Sequence, residues 1–227
     1  WLIWTLLAIA CWGVWALLAR LIGDALSPAQ QQALSTLGLL PVLAALAGSK
    51  KLTATGNRRR GALFALSAGL LTCLGNIAYY DVLNRGAKAA TVVPLTALYP
   101  LVTVLLAVVL LKERLNRIQQ TGVGLSLAAI YLFNVQQDGG FFSAWLLVAL
   151  VPITLWGASG LLQKLATNHI SGELSTLWFL AAFIPVGLFL LLQQRVPASM
   201  EPRTWLLVTS LGFAFAFGNF ALLAAFA

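Results

Sequence analysis

Charge is scarce in this chain. Asp, Glu, Lys and Arg make up 9% of its 227 residues, against roughly a quarter in soluble globular domains. A surface that poor in charge excludes an ordinary water-exposed fold. Histidine is rarer still: the single His169 falls in a short connection with no metal partner within reach, so neither a metal nor any other cofactor is expected. Cysteine amounts to Cys11 and Cys73, both inside apolar runs, where a free thiol serves as a small packing group. The AIAC at 8–11 faintly resembles a processing site, yet it lacks a charged leader and the apolar run continues past it. Long polar stretches are missing too, which leaves no room for a soluble domain.

What is there is apolar. Hydrophobic residues reach 60%, with eight tryptophans, and they fall in runs of about 20 residues, the length that crosses a ~30 Å hydrocarbon slab. Eight spans are predicted, at 1–22, 30–47, 61–82, 91–111, 117–135, 141–166, 174–192 and 205–227. Lipid offers the backbone no hydrogen bonds, so the fold class is all-α, a polytopic transmembrane helical bundle. The bilayer is therefore the first partner. The net charge of +8 does not point to nucleic acid, because the basic residues sit in connections. Lys50, Lys51, Arg58, Arg59, Arg60, Lys112, Arg114 and Arg117 all fall inside if the N-terminus is cytoplasmic, while the intervening outer connection holds only Arg85 and Lys88, and the one near 138 only Asp138. Trp1, Trp4, Trp145 and Trp205 lie near span ends as interface anchors.

A duplication runs through the chain. CWGVWALLARL at 11–21 aligns with LWGASGLLQKL at 155–165 on Trp12 and Trp156, an offset of 144. GLLTCLGNIA at 69–78 aligns with GFAFAFGNFA at 212–221 on Asn76 and Asn219, an offset of 143. Two matches at nearly one offset imply a five-helix unit at 1–137 followed by a second copy at 141–227. Five is odd, so the second copy enters the membrane upside down. Inverted repeats of this kind are a hallmark of secondary transporters, whose substrate site lies near the midplane between the copies. The first residue is Trp1 and the chain ends within the eighth span. Both ends look cut, and two further helices are expected to complete the second copy.

The duplication also bears on the Gly-x-Ser-Gly at 157–160, the nucleophile signature of intramembrane serine proteases. Ser159 aligns with Trp15, so the motif descends from a Trp-Gly helix, and a nucleophile would need a general base that the distant His169 is poorly placed to supply. Ala158, Ser159 and Gly160 are better read as a close helix contact. The protease stands as a remote alternative.

PLVTVLLAVVLLKERLNRIQQTGVGLSLAAIYLF at 100–133 resembles the end of an EamA domain, the repeat unit of the ten-helix drug/metabolite transporter superfamily. Pro100, Glu113 with Arg114, Gln120, Gly122 and Leu125 carry the likeness, with Trp12 and Gly13 in the first helix. Lys112 and Ala129 stand where that family usually has glycine. The resemblance implies transport of small metabolites, often amino-acid export from a bacterial plasma membrane; sugar-phosphate, nucleotide-sugar or lipid-linked substrates are the alternative.

Candidate substrate-binding residues follow from polarity within the spans. Thr72, Asn76, Tyr79 and Tyr80 form one stripe. Asn76 needs a partner in hydrocarbon, and the inverted repeat places it and Asn219 on either side of the centre. Trp12 and Trp156 lie mid-span, away from the interfacial belts. Thr96, Tyr99 and Thr103 share a face between Pro94 and Pro100, prolines that bend a helix and open a cavity. Asp81, Glu113, Glu173, Arg20 and Lys164 all lie near span ends. With no carboxylate at mid-membrane, an uncoupled carrier of neutral or zwitterionic, partly apolar compounds is expected. Homo-oligomerisation is left open.

Overall fold

The structure is a computed structural model and describes residues 2–85, 89–135, 144–194 and 200–225. Among them every long element is a helix: α1 (Leu2–Ile22), α2 (Pro28–Ala47), α3 (Arg58–Asn84), α4 (Ala89–Thr96), α5 (Tyr99–Leu111), α6 (Arg117–Val135), α7 (Ala144–Thr167), α8 (Gly172–Ala181), α9 (Phe183–Gln193) and α10 (Pro202–Ala225). All eight expected spans are helical, but two are broken. The fourth divides into α4 and α5 at residues 97 and 98, just ahead of Pro100, whose missing N–H cannot continue the ladder. The seventh divides into α8 and α9 at Ala182, three residues before Pro185. Six helical stretches are long and apolar enough to cross a membrane. The polar starts of α2 (Gln30, Gln31, Gln32) and α6 (Arg117, Gln119, Gln120) lower the hydropathy of the other two. The proposed boundary between repeats, Trp1, Lys88, Asp138 and the side chain of Trp145 lie outside the described residues.

Local signals at helix starts repeat with the duplication. Ser27 caps α2 by accepting from the Gln30 N–H, with the Gln30 side chain bonding back in a capping box. Ser171, 144 residues on, caps α8 by accepting from the Leu174 N–H. Lys112 ends α5 at φ 57°, a left-handed conformation that favours glycine. That is the physical reason why glycine is usual at this position.

The packing is reciprocal across the two copies. α3 runs along α7, and α1 runs along α10, the same pairing with the copies exchanged. A Cβ on Gly75 would lie 2.6 Å from Nε1 of Trp156; one on Gly218 would lie 2.8 Å from Nε1 of Trp12. On Gly69 it would meet the carbonyl oxygen of Phe179 at 2.2 Å, and on Gly212 that of Ser35 at 1.8 Å. Each pair is the repeat image of the other. These glycines let backbones touch where no hydrophobic force drives helices together in lipid. α2 crosses α9 at Thr36 and Gly187, and α5 lies on α7 with Val102 and Thr103 against Gly157 and Gly160. Ile3, Leu6, Ile9, Leu110, Leu188 and Leu206 point outward, an apolar exterior suited to lipid and unsuited to water.

Candidate functional site

Aromatic rings from both copies meet at the centre of the bundle. Trp15 of α1 stacks on Tyr79 of α3 with centroids 4.9 Å apart, and meets Trp156 of α7 edge-on at 5.8 Å. Tyr79 lies 5.4 Å from Trp156, and Tyr99 of α5 meets Trp156 edge-on at 6.1 Å. Phe215 of α10 closes the group at 6.0 Å from Trp15. Two hydrogen bonds orient the indoles. Trp15 Nε1 donates to the Tyr80 hydroxyl oxygen at 3.2 Å, and Trp156 Nε1 donates to Asn76 Oδ1 at 3.1 Å. Buried indoles take such partners, because an unpaired N–H inside the bundle is costly.

Beside this cluster lies a narrow gap lined by Trp15, Gln32, Ser35, Asn76, Tyr80, Phe183 and Phe215, with Leu39, Leu211 and Gly212 completing the wall. No part of it is wide enough for a water molecule. Its side chains are neutral. Among them Gln32 Oε1 has no hydrogen-bond partner; outside the lining, the Tyr79 hydroxyl and both polar atoms of Gln31 are also unpaired. Ser175, the repeat image of Gln31, is likewise buried with its hydroxyl unpaired. Buried polar groups are nearly always paired, so these unpaired atoms are unusual.

Four of the six sequence-predicted residues, Asn76, Tyr79, Tyr99 and Trp156, come together in this cluster. The other two keep to the packing. Asn219 does not mirror the bond of Asn76: its Nδ2 donates to the Phe215 carbonyl one turn back at 2.8 Å. Trp12 rests on Gly218 as Trp156 rests on Gly75. Thr103 donates to the Gly157 carbonyl at 2.8 Å and so fastens α5 to α7, whereas Thr96 donates to the Val92 carbonyl within its own helix. Ser159 is buried and donates to the Ala68 carbonyl at 2.9 Å. A hydroxyl has one proton, so in the 2.7 Å contact between them Thr72 is the donor. The small polar pair Thr72 and Ser159 thus occupies the place held in the other copy by the rings of Phe215 and Trp15. His169 sits away in the loop, its ring stacked on Phe64.

Sequence reasoning missed Trp15, Gln32, Ser35 and Phe215. Three consecutive amides at the start of an otherwise apolar run were the available signal for Gln32. Nothing in the pattern distinguished Trp15 from a lipid-facing tryptophan.

The two ends of the bundle differ. At the end carrying Lys50, Lys51 and Arg58, the connection between α2 and α3 clasps the connection between α7 and α8. Thr55 and Gly56 donate their N–H groups to the His169 carbonyl at 3.0 and 2.9 Å, Ser171 N–H donates to Thr53 at 2.9 Å, and Ala54 pairs with Ile170 in a short antiparallel bridge. The Ser171 hydroxyl donates to the Lys51 carbonyl at 2.7 Å, and Lys51 lies 3.8 Å from Glu173. Lys164 of α7 pairs with Glu113 beyond α5 at the same end. At the opposite end Ser27, Pro28 and Ala29, the repeat images of the clasped Ser171, Gly172 and Glu173, line an open cleft of about 440 Å³ with Asp81 and Gln194.

The EamA-like transporter family matches residues 1–135. An uncharacterized protein of Methanocaldococcus jannaschii is 35% identical over 72 residues, 32% of this chain and 52% of its own length. The chain thus spans about half the length of that curated relative. A solved crystal structure of another protein has a TM-score of 0.64 at 21% identity, over 96% of this chain and 78% of its own. At that identity the likeness concerns the fold.

Proposed function

This chain belongs to the EamA-like transporter family, part of the drug/metabolite transporter superfamily, and from that premise we propose that it carries small neutral or zwitterionic metabolites, amino acids with apolar or aromatic side chains first among them. The observation that carries the reading is the central gap: it lies between the two copies, is walled by rings and amides, and has no charged side chain in its lining. Aromatic faces suit an apolar body. Neutral amides offer donors and acceptors without favouring a net charge. A sugar phosphate would ask for Lys or Arg in the wall.

Transport proceeds by alternating access, the two copies rocking about the gap. The clasp between residues 53–56 and 169–171 seals the basic end, and the cleft at Ser27 and Gln194 is where the opposite end parts. With more Lys and Arg in short loops facing the cytoplasm, the basic end and the N-terminus are cytoplasmic, in a bacterial plasma membrane, and net movement is outward. The carrier is uncoupled: Asp24, Asp81, Glu113, Glu173 and Glu201 all lie at or beyond helix ends. Flux unchanged on collapse of the pH gradient supports this; strict dependence on the gradient overturns it. An enzymatic role is not favoured, since Ser159 spends its proton on Ala68 and its described partners include no base.

The deciding experiment is reconstitution in liposomes with a panel of labelled amino acids, Asn76→Ala beside the unaltered protein. Selective flux lost in the variant supports the reading. A folded protein that moves no amino acid overturns it, and peptide cleavage lost in Ser159→Ala would replace it.

A further inference from the structure

The unsatisfied polar atoms around the gap have a direction. Trp156 Nε1 occupies Asn76 Oδ1, so what Asn76 has left is its amide NH₂, a donor. Asn76 is 2% exposed and lines the gap. The wall formed by α2 supplies what Asn76 no longer offers, a side-chain amide oxygen without a partner. Gln32 is 1% exposed and its Oε1, an acceptor, has no partner. Ser35, one turn further on the same wall, donates its hydroxyl proton to the Gln32 carbonyl at 2.9 Å and is hydrogen-bonded to the Tyr80 side chain as well, so it adds no free group. Gln32 thus brings a free acceptor to the gap, while Asn76 brings its amide donor. Trp15, held by its bond to Tyr80, stands between with a π face that favours a cation.

We propose that Gln32 and Asn76 divide the recognition of a zwitterion between them, Gln32 Oε1 accepting from the substrate's ammonium group and the Asn76 amide donating to its carboxylate. The assignment rests on the reading of the gap as the substrate site, and it adds the polarity of that site and a residue, Gln32, that the stripe on α3 did not include. The physical reason for neutral amides is selectivity. A Glu and a Lys at these positions would bind each charge more strongly but would pair with one another in the empty site, whereas two amides 44 positions apart in sequence and on different helices leave the substrate's own two charges as the best partners. Tyr79, whose hydroxyl is unpaired while its ring stacks on Trp15, belongs to the aromatic cluster beside the gap.

The test is competition for transport by the reconstituted full chain with three probes: phenylalanine, N-acetylphenylalanine, which lacks the ammonium, and phenylalaninamide, which lacks the carboxylate. Gln32→Leu is expected to weaken phenylalanine and the amide by about tenfold or more, as loss of a hydrogen bond to a charged group does, and to leave the N-acetyl compound nearly unchanged. Asn76→Leu is expected to weaken phenylalanine and the N-acetyl compound and to spare the amide. A uniform loss for all three probes in both variants overturns the division of roles while leaving the transport reading intact. Failure of the unaltered protein to recognise any of the three overturns both. Where Gln32→Leu does not fold, Gln32→Glu keeps an acceptor and adds charge. It is expected to favour the amide over the N-acetyl compound more strongly than the native protein does, and equal effects on the two overturn the proposal.

Discussion

The Trp156 indole donates to Asn76 across the contact between the two copies, at 3.1 Å, and the same indole covers Gly75 in the adjoining turn. One ring thereby fixes both the approach of α3 to α7 and the polarity of the amide that faces the gap. Trp156→Phe keeps a ring and removes the donor. It is expected to cost about 1–2 kcal/mol of stability, the price of an unpaired buried acceptor, and a double-mutant cycle with Asn76→Leu, read from unfolding midpoints in detergent, should show coupling of about 1 kcal/mol. Additive effects would mean that the bond contributes nothing.

The glycines at the crossings should rank by what a methyl group would meet. At Gly212 it strikes a backbone carbonyl at 1.8 Å, which cannot yield; at Gly75 it strikes the edge of an indole at 2.6 Å; at Gly13 it meets nothing within 4 Å. Gly212→Ala is expected to lose most of the folded protein, Gly75→Ala to fold with a lowered midpoint, and Gly13→Ala to match or slightly exceed the native stability by helix propensity. Yield by size-exclusion chromatography and thermal midpoint together check the order.

Opening of the basic end requires the clasp to part. A cysteine pair replacing Ala54 and Ile170, in a background without Cys11 and Cys73, should stop flux on oxidation and recover it on reduction. Persistent flux in the cross-linked protein would show that this end does not open during the cycle. Among single changes Ser171→Ala should loosen the clasp more than Glu173→Gln. The Ser171 hydroxyl bonds the Lys51 carbonyl at 2.7 Å, whereas Lys51 is 79% exposed and exposed ion pairs contribute little.

Lys112→Gly tests the reading of its backbone. At φ 57° a side chain costs about 1 kcal/mol that glycine does not incur, so the substitution should raise the thermal midpoint. A lowered midpoint would point instead to a stabilising role for the lysine side chain.

The helical class, the eight spans and the duplication were legible along the chain because each is periodic or repeated: twenty apolar residues can hide their backbone in lipid only as helix, and two motifs at almost one offset are hard to produce by chance. The stripe through Asn76 and Tyr79 was legible for the same reason, since polar side chains recurring on one face of a membrane helix must meet protein. The breaks were half visible. Pro100 marked the bend in the fourth span, whereas Pro185 went unread in the seventh.

Partnership was not legible. Asn76 and Asn219 are equivalent in the repeat and each has an indole opposite, Trp156 or Trp12, yet one accepts from that indole and the other donates to its own helix. Trp15 and Ser159 hold matching places, and packing made one a wall of the gap and the other a bond to Thr72. A sequence determines which side chains lie on one face of each helix, through a local period. Which faces meet, and hence which polar atoms of an amide stay free, depends on contacts between residues far apart along the chain, 65 positions for Trp15 and Tyr80 and 80 for Asn76 and Trp156, and only the tertiary structure decides them.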